Sequence, residues 1–212
     1  MKYKGIIFDL DGVICSTDEY HYLAWKALAD RLGIPFDRER NNLLRGVSRM
    51  ASLEIILEKS DKTYSDEEKT AFAEEKNALY RELLGRMSPA DLSDDVKITL
   101  EALRKTGLKL GIGSSSKNTP FILERIGLKD FFDAIADGNC IIHSKPHPEV
   151  FLKAADRLGL FPQNCLVVED AHAGVEAAVA GGFDCAAIGD AKDDVRATLH
   201  LNQFSDIMKC LD

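Results

Sequence analysis

A run of apolar residues that ends in two closely spaced carboxylates most constrains how this chain folds. Residues Gly5 to Gly12 read Gly-Ile-Ile-Phe-Asp-Leu-Asp-Gly, so Asp9 and Asp11 follow the apolar run directly. This pattern predicts a strand buried on both faces, whose carboxyl end opens into a polar site. Ligands of α/β sheets bind at that edge, which is where an enzyme would place its active site. A solvated acidic turn is the alternative, and the motif taken alone leaves both open.

Length and composition narrow the class of protein. The chain has 212 residues, enough for one large domain or for a domain with a smaller insert. Its 45% hydrophobic and 29% charged residues are ordinary for a folded globular protein. A net charge of −8 argues against a nucleic-acid or anionic-membrane surface. A phosphorylated substrate stays possible, because a metal and a few placed cations would overcome the background charge locally.

The sequence predicts a cytoplasmic protein. No apolar run approaches the roughly 20 residues of a spanning helix, and Met-Lys-Tyr-Lys leads into a strand and not into a signal-peptide core. The five cysteines are odd in number and lack Cys-x-x-Cys spacing, which disfavours a disulfide framework or structural zinc. Cys15 near the acid pair is an alternative nucleophile, although the sequence shows no ordered Cys/His pair.

Helical periodicity dominates from Thr17 to about residue 87. Thr17 is placed to cap a first helix, which ends at Gly33. Two shorter helices are predicted over residues 37–44 and 48–59. A long helix then begins at the capping box that starts with Ser65. The segment is therefore predicted to be entirely helical.

Strands and helices alternate on both sides of this segment. Apolar runs predict further strands over residues 108–113, 134–136, 165–168 and 185–188, and a packing helix is expected from Leu199 onward. This order is typical of an α/β protein with a Rossmann-like parallel sheet. We therefore predict a core domain of residues 1–16 and 88–212 and an inserted α-helical cap domain of residues 17–87.

A second acid pair decides between the two interpretations of the first. The apolar run from Cys165 to Val168 ends in Glu169 and Asp170, which repeats the opening pattern. Two strands that end in acid pairs bring carboxylates together, and these repel one another unless a cation lies among them. Hard oxygen ligands favour Mg²⁺. The sequence thus predicts a magnesium site formed by Asp9, Asp11, Glu169 and Asp170.

Other candidate residues are ambiguous when each is taken alone. A hydroxyl-rich stretch before a predicted helix would form a phosphate cradle, although serine-rich turns are common; it comprises Ser114, Ser116, Lys117 and Asn118. Lys145 alone reads as a surface lysine, and His21 alone as a packing residue of the first helix. Arg45, Arg49 and Lys76 alone are solvated cations, but Arg49 lies close to a helix start, where it would hold an anion.

The order of these motifs resembles the haloacid dehalogenase superfamily, whose members form an aspartyl-phosphate. The resemblance rests on Asp9-Leu10-Asp11-Gly12, Ser114, Lys145-Pro146 and Glu169-Asp170, each at a strand end or in the loop that follows. Within the helical segment, Glu19-Tyr20-His21, Gly46-Val47-Ser48-Arg49 and Lys76-Asn77 resemble the β-phosphoglucomutase family. That family interconverts β-D-glucose 1-phosphate and β-D-glucose 6-phosphate through glucose 1,6-bisphosphate, with Mg²⁺ as cofactor.

The resemblance implies a role for each candidate. It implies Asp9 as the nucleophile, Asp11 as the general acid and base, and Ser114 and Lys145 as holders of the transferring phosphoryl group. It implies that Mg²⁺ contacts Asp9, the backbone carbonyl of Asp11, and the later acids Glu169 and Asp170. It implies that Thr17, His21 and Lys76 couple closure of the cap to the position of Asp11. The residues that would bind the sugar and its other phosphate are Trp25, Gly46, Val47, Arg49, Lys76, Ser116, Lys117 and Asn118.

Departures from the family pattern leave the preferred sugar phosphate open. Arg45 stands where lysine is usual, and Ser93-Asp94-Asp95 replaces the common Pro-Gly after the cap. A Mg²⁺-dependent sugar-phosphate phosphatase and a non-catalytic sugar-phosphate sensor are the alternative functions. We expect a monomer that acts on a small sugar phosphate.

Overall fold

Six parallel strands form the central sheet of the protein. The computed structural model describes residues 2–45 and 47–211. The strands are β1 (Gly5–Phe8), β2 (Lys109–Gly113), β3 (Ala134–Ala136), β4 (Cys165–Glu169), β5 (Asp184–Ala187) and β6 (Leu199–His200). Their order is β3-β2-β1-β4-β5-β6, so β1 lies between β2 and β4. The predicted α/β class with a parallel sheet is confirmed.

The first strand is buried on both faces, as its unbroken apolar run predicts. Ile6 and Phe8 pack into a cluster on one face of the sheet, while Ile7 packs into a cluster on the other. All three side chains are fully buried. Because successive side chains of a strand point to opposite faces, only a continuous apolar run satisfies such a position.

Helices cover both faces of the sheet. The helices are α1 (Asp18–Leu32), α2 (Arg38–Asn42), α3 (Arg49–Leu57), α4 (Asp66–Leu84), α5 (Asp94–Lys105), α6 (Thr119–Arg125), α7 (Glu149–Leu158) and α8 (His172–Ala180). Apolar residues of α5 and α6 join the cluster that contains Ile6, whereas those of α7 and α8 join the cluster that contains Ile7. None of the helices in the described ranges combines the length and apolar character needed to span a bilayer.

The helices α1 to α4 enclose an apolar cluster of their own. Trp25, Leu28, Phe36, Leu53 and Ile56 belong to this cluster, which is separate from the two clusters on the sheet. At the base of the segment, the end of α4 packs into the sheet cluster. A separate small core is what an inserted cap would need, and the domain boundaries at residues 16/17 and 87/88 stay a prediction.

One sequence expectation differs from the structure near the end of the chain. The helix expected from Leu199 is instead the two-residue strand β6, followed by a 3₁₀ helix over Phe204–Cys210. Leu199 pairs with Ala186 of β5, and so short an edge strand gives no readable period in sequence. Ser93, part of the departure noted above, caps α5: its Oγ accepts the Val96 N–H at 3.3 Å.

Candidate active site

The carboxyl ends of β1, β2 and β4 meet at one edge of the sheet. Asp9 directly follows β1, and its backbone N–H donates to the Val168 carbonyl of β4 at 2.9 Å. Ser114 directly follows β2, and Asp170 directly follows β4. These residues line a pocket of about 440 Å³ between the sheet edge and the helical segment. That volume suits a small-molecule ligand.

Lys145 joins the first and fourth strands electrostatically. Its Nζ donates to Asp9 Oδ1 at 2.5 Å and also to Glu169 Oε1. All three side chains are buried. Burial alone would lower the pKa of Lys145, but the two carboxylates raise it above its ordinary value. Lys145, which alone reads as a surface lysine, is thus a buried cation beside Asp9.

Both carboxylate oxygens of Glu169 are taken by protein donors. Oε1 accepts from Lys145, and Oε2 accepts the Ala171 N–H at 2.7 Å. The α8 backbone lies so close that a Cβ at Gly174 would come within 1.9 Å of Oε1. In this arrangement the Glu169 side chain faces Lys145 and the start of α8, and a metal site formed by Asp9, Asp11, Glu169 and Asp170 stays a prediction.

Asp11 has a different partner from Asp9. The Thr17 hydroxyl donates to Asp11 Oδ1. Thr17 occupies the predicted N-cap position of α1, but its side chain makes no capping hydrogen bond and donates to Asp11 instead. Burial, and then the charge of Asp9, raise the pKa of Asp11 to about 7. The two carboxylates of the opening motif are thus held in distinct environments.

Asp170 is a buried carboxylate that directly follows β4. Burial, followed by the charges of Glu169 and Asp9, raises the pKa of Asp170 to about 9. Its carboxylate lies against the loop after Asp11, where a Cβ at Gly12 would come within 2.0 Å of Oδ2. Gly12 also has a φ of +86°, so glycine is required there on two grounds.

The acidic edge of the sheet has the donor chemistry for Mg²⁺. No group of three or more His, Cys, Asp and Glu side chains poised for a metal occurs within residues 2–45 and 47–211. Mg²⁺ does not need one, since it commonly binds one or two carboxylates and completes its shell with waters and substrate phosphate oxygens. Asp9 and Asp170 are buried carboxylates that fit this requirement, and one lysine does not neutralise the acids around them.

Cys15 does not compete as a nucleophile. It is buried next to the acidic cluster, and burial followed by the charge of Asp11 raises the pKa of its thiol. The reactive form of cysteine is the thiolate, which such surroundings disfavour.

The opposite wall of the pocket is made of cations from the helical segment. Lys76 is only 3% exposed, and its Nζ lies 4.7 Å from the Trp25 ring centre and 4.3 Å from that of Tyr80. The same Nζ lies 2.9 Å from His21 Nδ1. Burial, followed by the charge of Arg49, lowers the pKa of Lys76 well below its ordinary value. Burial, followed by the charge of Lys76, does the same to the pKa of His21.

The remaining predicted residues line the same pocket, with two exceptions. Val47, Arg49, Ser116, Lys117 and Asn118 all face it. Thr17 is not part of the lining and reaches the site only through Asp11. Gly46 lies outside the described residues.

The loop after β2 is ordered by its own hydroxyls. Ser114 Oγ accepts the Ser116 N–H at 3.2 Å, and Ser116 Oγ accepts the Asn118 N–H at 3.2 Å. These local bonds are the turn chemistry that a serine-rich stretch provides. They hold the loop in one shape beneath the pocket, so a ligand would meet a preformed surface.

Sequence reasoning missed several residues of the site. The Tyr80 ring packs against the Lys76 ammonium group. Its place in the sequence, four residues after Lys76 and therefore on the same face of α4, could have indicated this contact. Arg45 was noted as a solvated cation and as a departure from the family pattern; its guanidinium bonds Asp18 of α1 and Asp190 after β5. Those partners are 27 and 145 residues away in the sequence, so no local pattern could have paired them.

A family model for haloacid dehalogenase-like hydrolases matches residues 3–182. The chain belongs to this family. It is 40% identical to a β-phosphoglucomutase of Bacillus subtilis over 96% of this chain and 91% of that one. A crystal structure of β-phosphoglucomutase from Clostridium difficile superposes with a TM-score of 0.91 at 39% identity, covering 97% of this chain and 93% of that chain.

Phosphatases are also among the relatives. A fructose-1-phosphate phosphatase of Escherichia coli is 34% identical over 86% of this chain and 95% of its own length. The comparisons confirm the predicted family and an enzyme of the β-phosphoglucomutase kind. The division between isomerase and phosphatase depends on what accepts the phosphoryl group.

Proposed function

We propose that the protein is a β-phosphoglucomutase, which interconverts β-D-glucose 1-phosphate and β-D-glucose 6-phosphate through β-glucose 1,6-bisphosphate. The observation that carries the proposal is that one pocket joins the Asp9 cluster to a wall that carries the buried Lys76 and the half-buried Arg49. A sugar bisphosphate has two anionic ends, and this pocket offers a reactive group to one end and Lys76 with Arg49 to the other.

Asp9 is the nucleophile of the proposed reaction. One oxygen of its carboxylate attacks phosphorus, and the bond between phosphorus and the sugar oxygen breaks as the aspartyl-phosphate forms. Lys145 beside Asp9, and Ser114 at the end of β2, balance the charge of the phosphoryl oxygens. Mg²⁺, bound by Asp9 and Asp170, would supply further neutralisation of these oxygens.

Asp11 moves the proton. It accepts a proton from the sugar hydroxyl that attacks phosphorus, and in the reverse direction it protonates the departing sugar oxygen. The Thr17 hydroxyl, which donates to Asp11 Oδ1, fixes the orientation of this carboxylate. Since Asp9 is held by Lys145 and Asp11 is not, the two acids have separate tasks.

The cationic wall binds the phosphate that is not transferred. Arg49 and Lys76 belong to this wall, and the loop after β2 adds Ser116, Lys117 and Asn118. Trp25, Val47 and His21 complete the surface around the sugar. In the second half of the cycle the bisphosphate binds in the opposite orientation. The helical segment must exclude water meanwhile, because water would hydrolyse the aspartyl-phosphate.

A sugar-phosphate phosphatase is the second candidate. It is favoured by the likeness to the fructose-1-phosphate phosphatase of Escherichia coli over most of both chains. In that reaction water takes the phosphoryl group from Asp9, and no bisphosphate forms. A non-catalytic sensor is a third reading, under which Asp9→Asn would leave the biological role intact.

The anomers of glucose 1-phosphate test the proposal. With Mg²⁺ and a trace of the 1,6-bisphosphate, the protein is expected to convert the β anomer to glucose 6-phosphate and to leave the α anomer largely unused. Formation of glucose 6-phosphate is followed with a coupled dehydrogenase. No conversion of either anomer would refute the assignment.

A further inference from the structure

The side chain of Asn118 is held by the helical segment and not by its own helix. Asn118 is the N-cap residue of α6, a position where asparagine normally accepts a hydrogen bond from the first turn. It makes no such bond here, although Asn118 is only 4% exposed. Instead, Oδ1 accepts from Arg81 at 3.1 Å and Nδ2 donates to Asn77 Oδ1 at 3.0 Å.

These two contacts fix which way the amide faces. Arginine can only donate, so the atom next to the Arg81 guanidinium must be the amide oxygen of Asn118. The nitrogen then carries two hydrogens, of which the bond to Asn77 uses one. The second hydrogen is available to a ligand in the pocket, which both asparagines line.

Arg81 itself stays out of the pocket lining. Its guanidinium lies over the ring of Phe121 on α6, 4.7 Å from the ring centre, so it spans from α4 to α6. A charged donor on the amide oxygen also polarises the amide, which makes the N–H groups better donors to an anion. Arg81 therefore acts on the pocket only through Asn118.

We propose that Arg81 is a positioning residue that sets the Asn118 amide to donate to the non-transferring phosphate of the substrate. This inference rests on the proposed function, in which Asn118 binds that phosphate. Arg81, Asn77 and Lys76 all belong to α4, so the same helix supplies a phosphate-binding cation and the two residues that orient a neutral donor. Without Arg81 the amide is free to turn its oxygen toward the anion, which would repel it.

The site of the non-transferring phosphate can be measured by itself when Asp9 carries a mimic of the phosphoryl group. Beryllium trifluoride with Mg²⁺ imitates a phosphoryl group on an aspartate, so the phosphate of added glucose 6-phosphate must then bind away from Asp9. Isothermal titration of glucose 6-phosphate into this form gives the dissociation constant whether or not the protein isomerises sugars. Absence of isomerisation by the wild type would count against the proposed function and is measured separately.

Two variants and a control make the test specific. Arg81→Met should weaken glucose 6-phosphate binding about tenfold, the loss expected for one charge-assisted hydrogen bond. Arg81→Gln keeps an amide donor for Asn118 Oδ1 and should recover most of that loss. Arg104→Met is the matched control, because it removes a similar arginine outside the pocket lining. The Arg104 guanidinium lies 4.9 Å from the centre of the Phe131 ring and bonds Asp133 at 2.7 Å.

The results separate orientation from charge. Weakening in Arg81→Met, recovery in Arg81→Gln and unchanged binding in Arg104→Met support the inference. Wild-type affinity in Arg81→Met would overturn it, as would equal weakening in the two Arg81 variants, since charge alone would then explain the effect. Arg81 is exposed, so these substitutions are expected to leave the fold intact, which circular dichroism checks.

Discussion

The two walls of the pocket carry opposite and unbalanced charge. On the sheet side, four acids surround one lysine, and burial raises the pKa of Asp11 to about 7 and that of Asp170 to about 9. On the helical side, Lys76 is buried among aromatic rings with Arg49 nearby, and burial lowers the pKa of Lys76. One wall therefore destabilises negative charge, and the other destabilises positive charge.

The opposite charges of the two walls call for opposite counter-ions. Buried charges are costly unless they are paired, so the acidic wall is completed by a cation and the cationic wall by an anion. A magnesium ion together with a sugar phosphate provides both. The opposite charges of the two walls explain why a protein with a net negative charge suits a phosphorylated substrate.

Asp9→Asn should have the largest effect. It removes the nucleophile, so turnover is expected to fall by on the order of 10⁴-fold or more. Asparagine keeps the size of the side chain, and the melting temperature should shift by only a few degrees. The control is Asp130→Asn, which changes an exposed acid outside the pocket lining and should match the wild type. Retained turnover in Asp9→Asn would remove Asp9 from the chemistry.

Asp11→Asn and Asp170→Asn should divide the acidic wall by function. Loss of the proton carrier at Asp11 is expected to slow sugar turnover roughly 10²- to 10⁴-fold while changing Mg²⁺ affinity little. Asp170→Asn should instead weaken Mg²⁺ binding, measured by calorimetry and by the Mg²⁺ concentration for half-maximal rate. Equal loss of Mg²⁺ affinity in both variants would assign Asp11 to the metal.

Lys76→Met should weaken sugar-phosphate binding by about tenfold or more, because it removes a charged hydrogen-bond donor from the cationic wall. The effect is measured as the dissociation constant of glucose 6-phosphate. Lys69→Met on the same helix is the control, since Lys69 pairs with Glu54 away from the pocket lining. Equal affinity in Lys76→Met and wild type would contradict a phosphate-binding role.

Lys76 also predicts a dependence of stability on pH. Its pKa is lowered by folding, so the unfolded chain binds more protons between the lowered value and the ordinary 10.5. The free energy of unfolding should therefore rise with pH across that window. Urea unfolding at several alkaline pH values should show a smaller rise in Lys76→Met. The same rise in both proteins would exclude Lys76 as its source.

Glu149 offers the smallest effect, which has the same sign as that of Lys76 but occurs at acid pH. This half-buried carboxylate accepts the backbone N–H groups of His143 and Ile142 and pairs with Lys153. The His143 contact contributes most in lowering the pKa of Glu149 to about 2. Its contribution to stability is thus present above pH 4.5 and is lost as pH falls toward 2. Glu149→Gln should flatten acid unfolding in that range; an unchanged profile would contradict the assignment.

The sheet-side residues were predictable because strand ends are local signals. An apolar run followed by acids marks Asp9 and Glu169, and parallel strands bring their carboxyl ends to one edge. What the pattern could not predict was the partner of each acid. Lys145 donates to Glu169 as well as to Asp9, and the Thr17 hydroxyl donates to Asp11 and not to its own helix.

The helical side was predictable only through resemblance. A buried lysine among aromatic rings has no pattern in sequence, because Trp25 and Lys76 come from different helices. The Arg45 bonds to Asp18 of α1 and to Asp190 after β5 also join residues that are distant in the sequence, so no local pattern indicates them. The short strand β6 escaped notice because its two residues depend on pairing with β5 and not on their own propensity.

The partition of the phosphoryl group between sugar and water distinguishes a mutase from a phosphatase. Wild-type protein is given β-glucose 1-phosphate, Mg²⁺ and a trace of 1,6-bisphosphate, and glucose 6-phosphate and inorganic phosphate are measured in the same sample. If the two charged walls hold a sugar bisphosphate between them, glucose 6-phosphate should form in large excess over inorganic phosphate. Release of inorganic phosphate without matching glucose 6-phosphate would contradict the account.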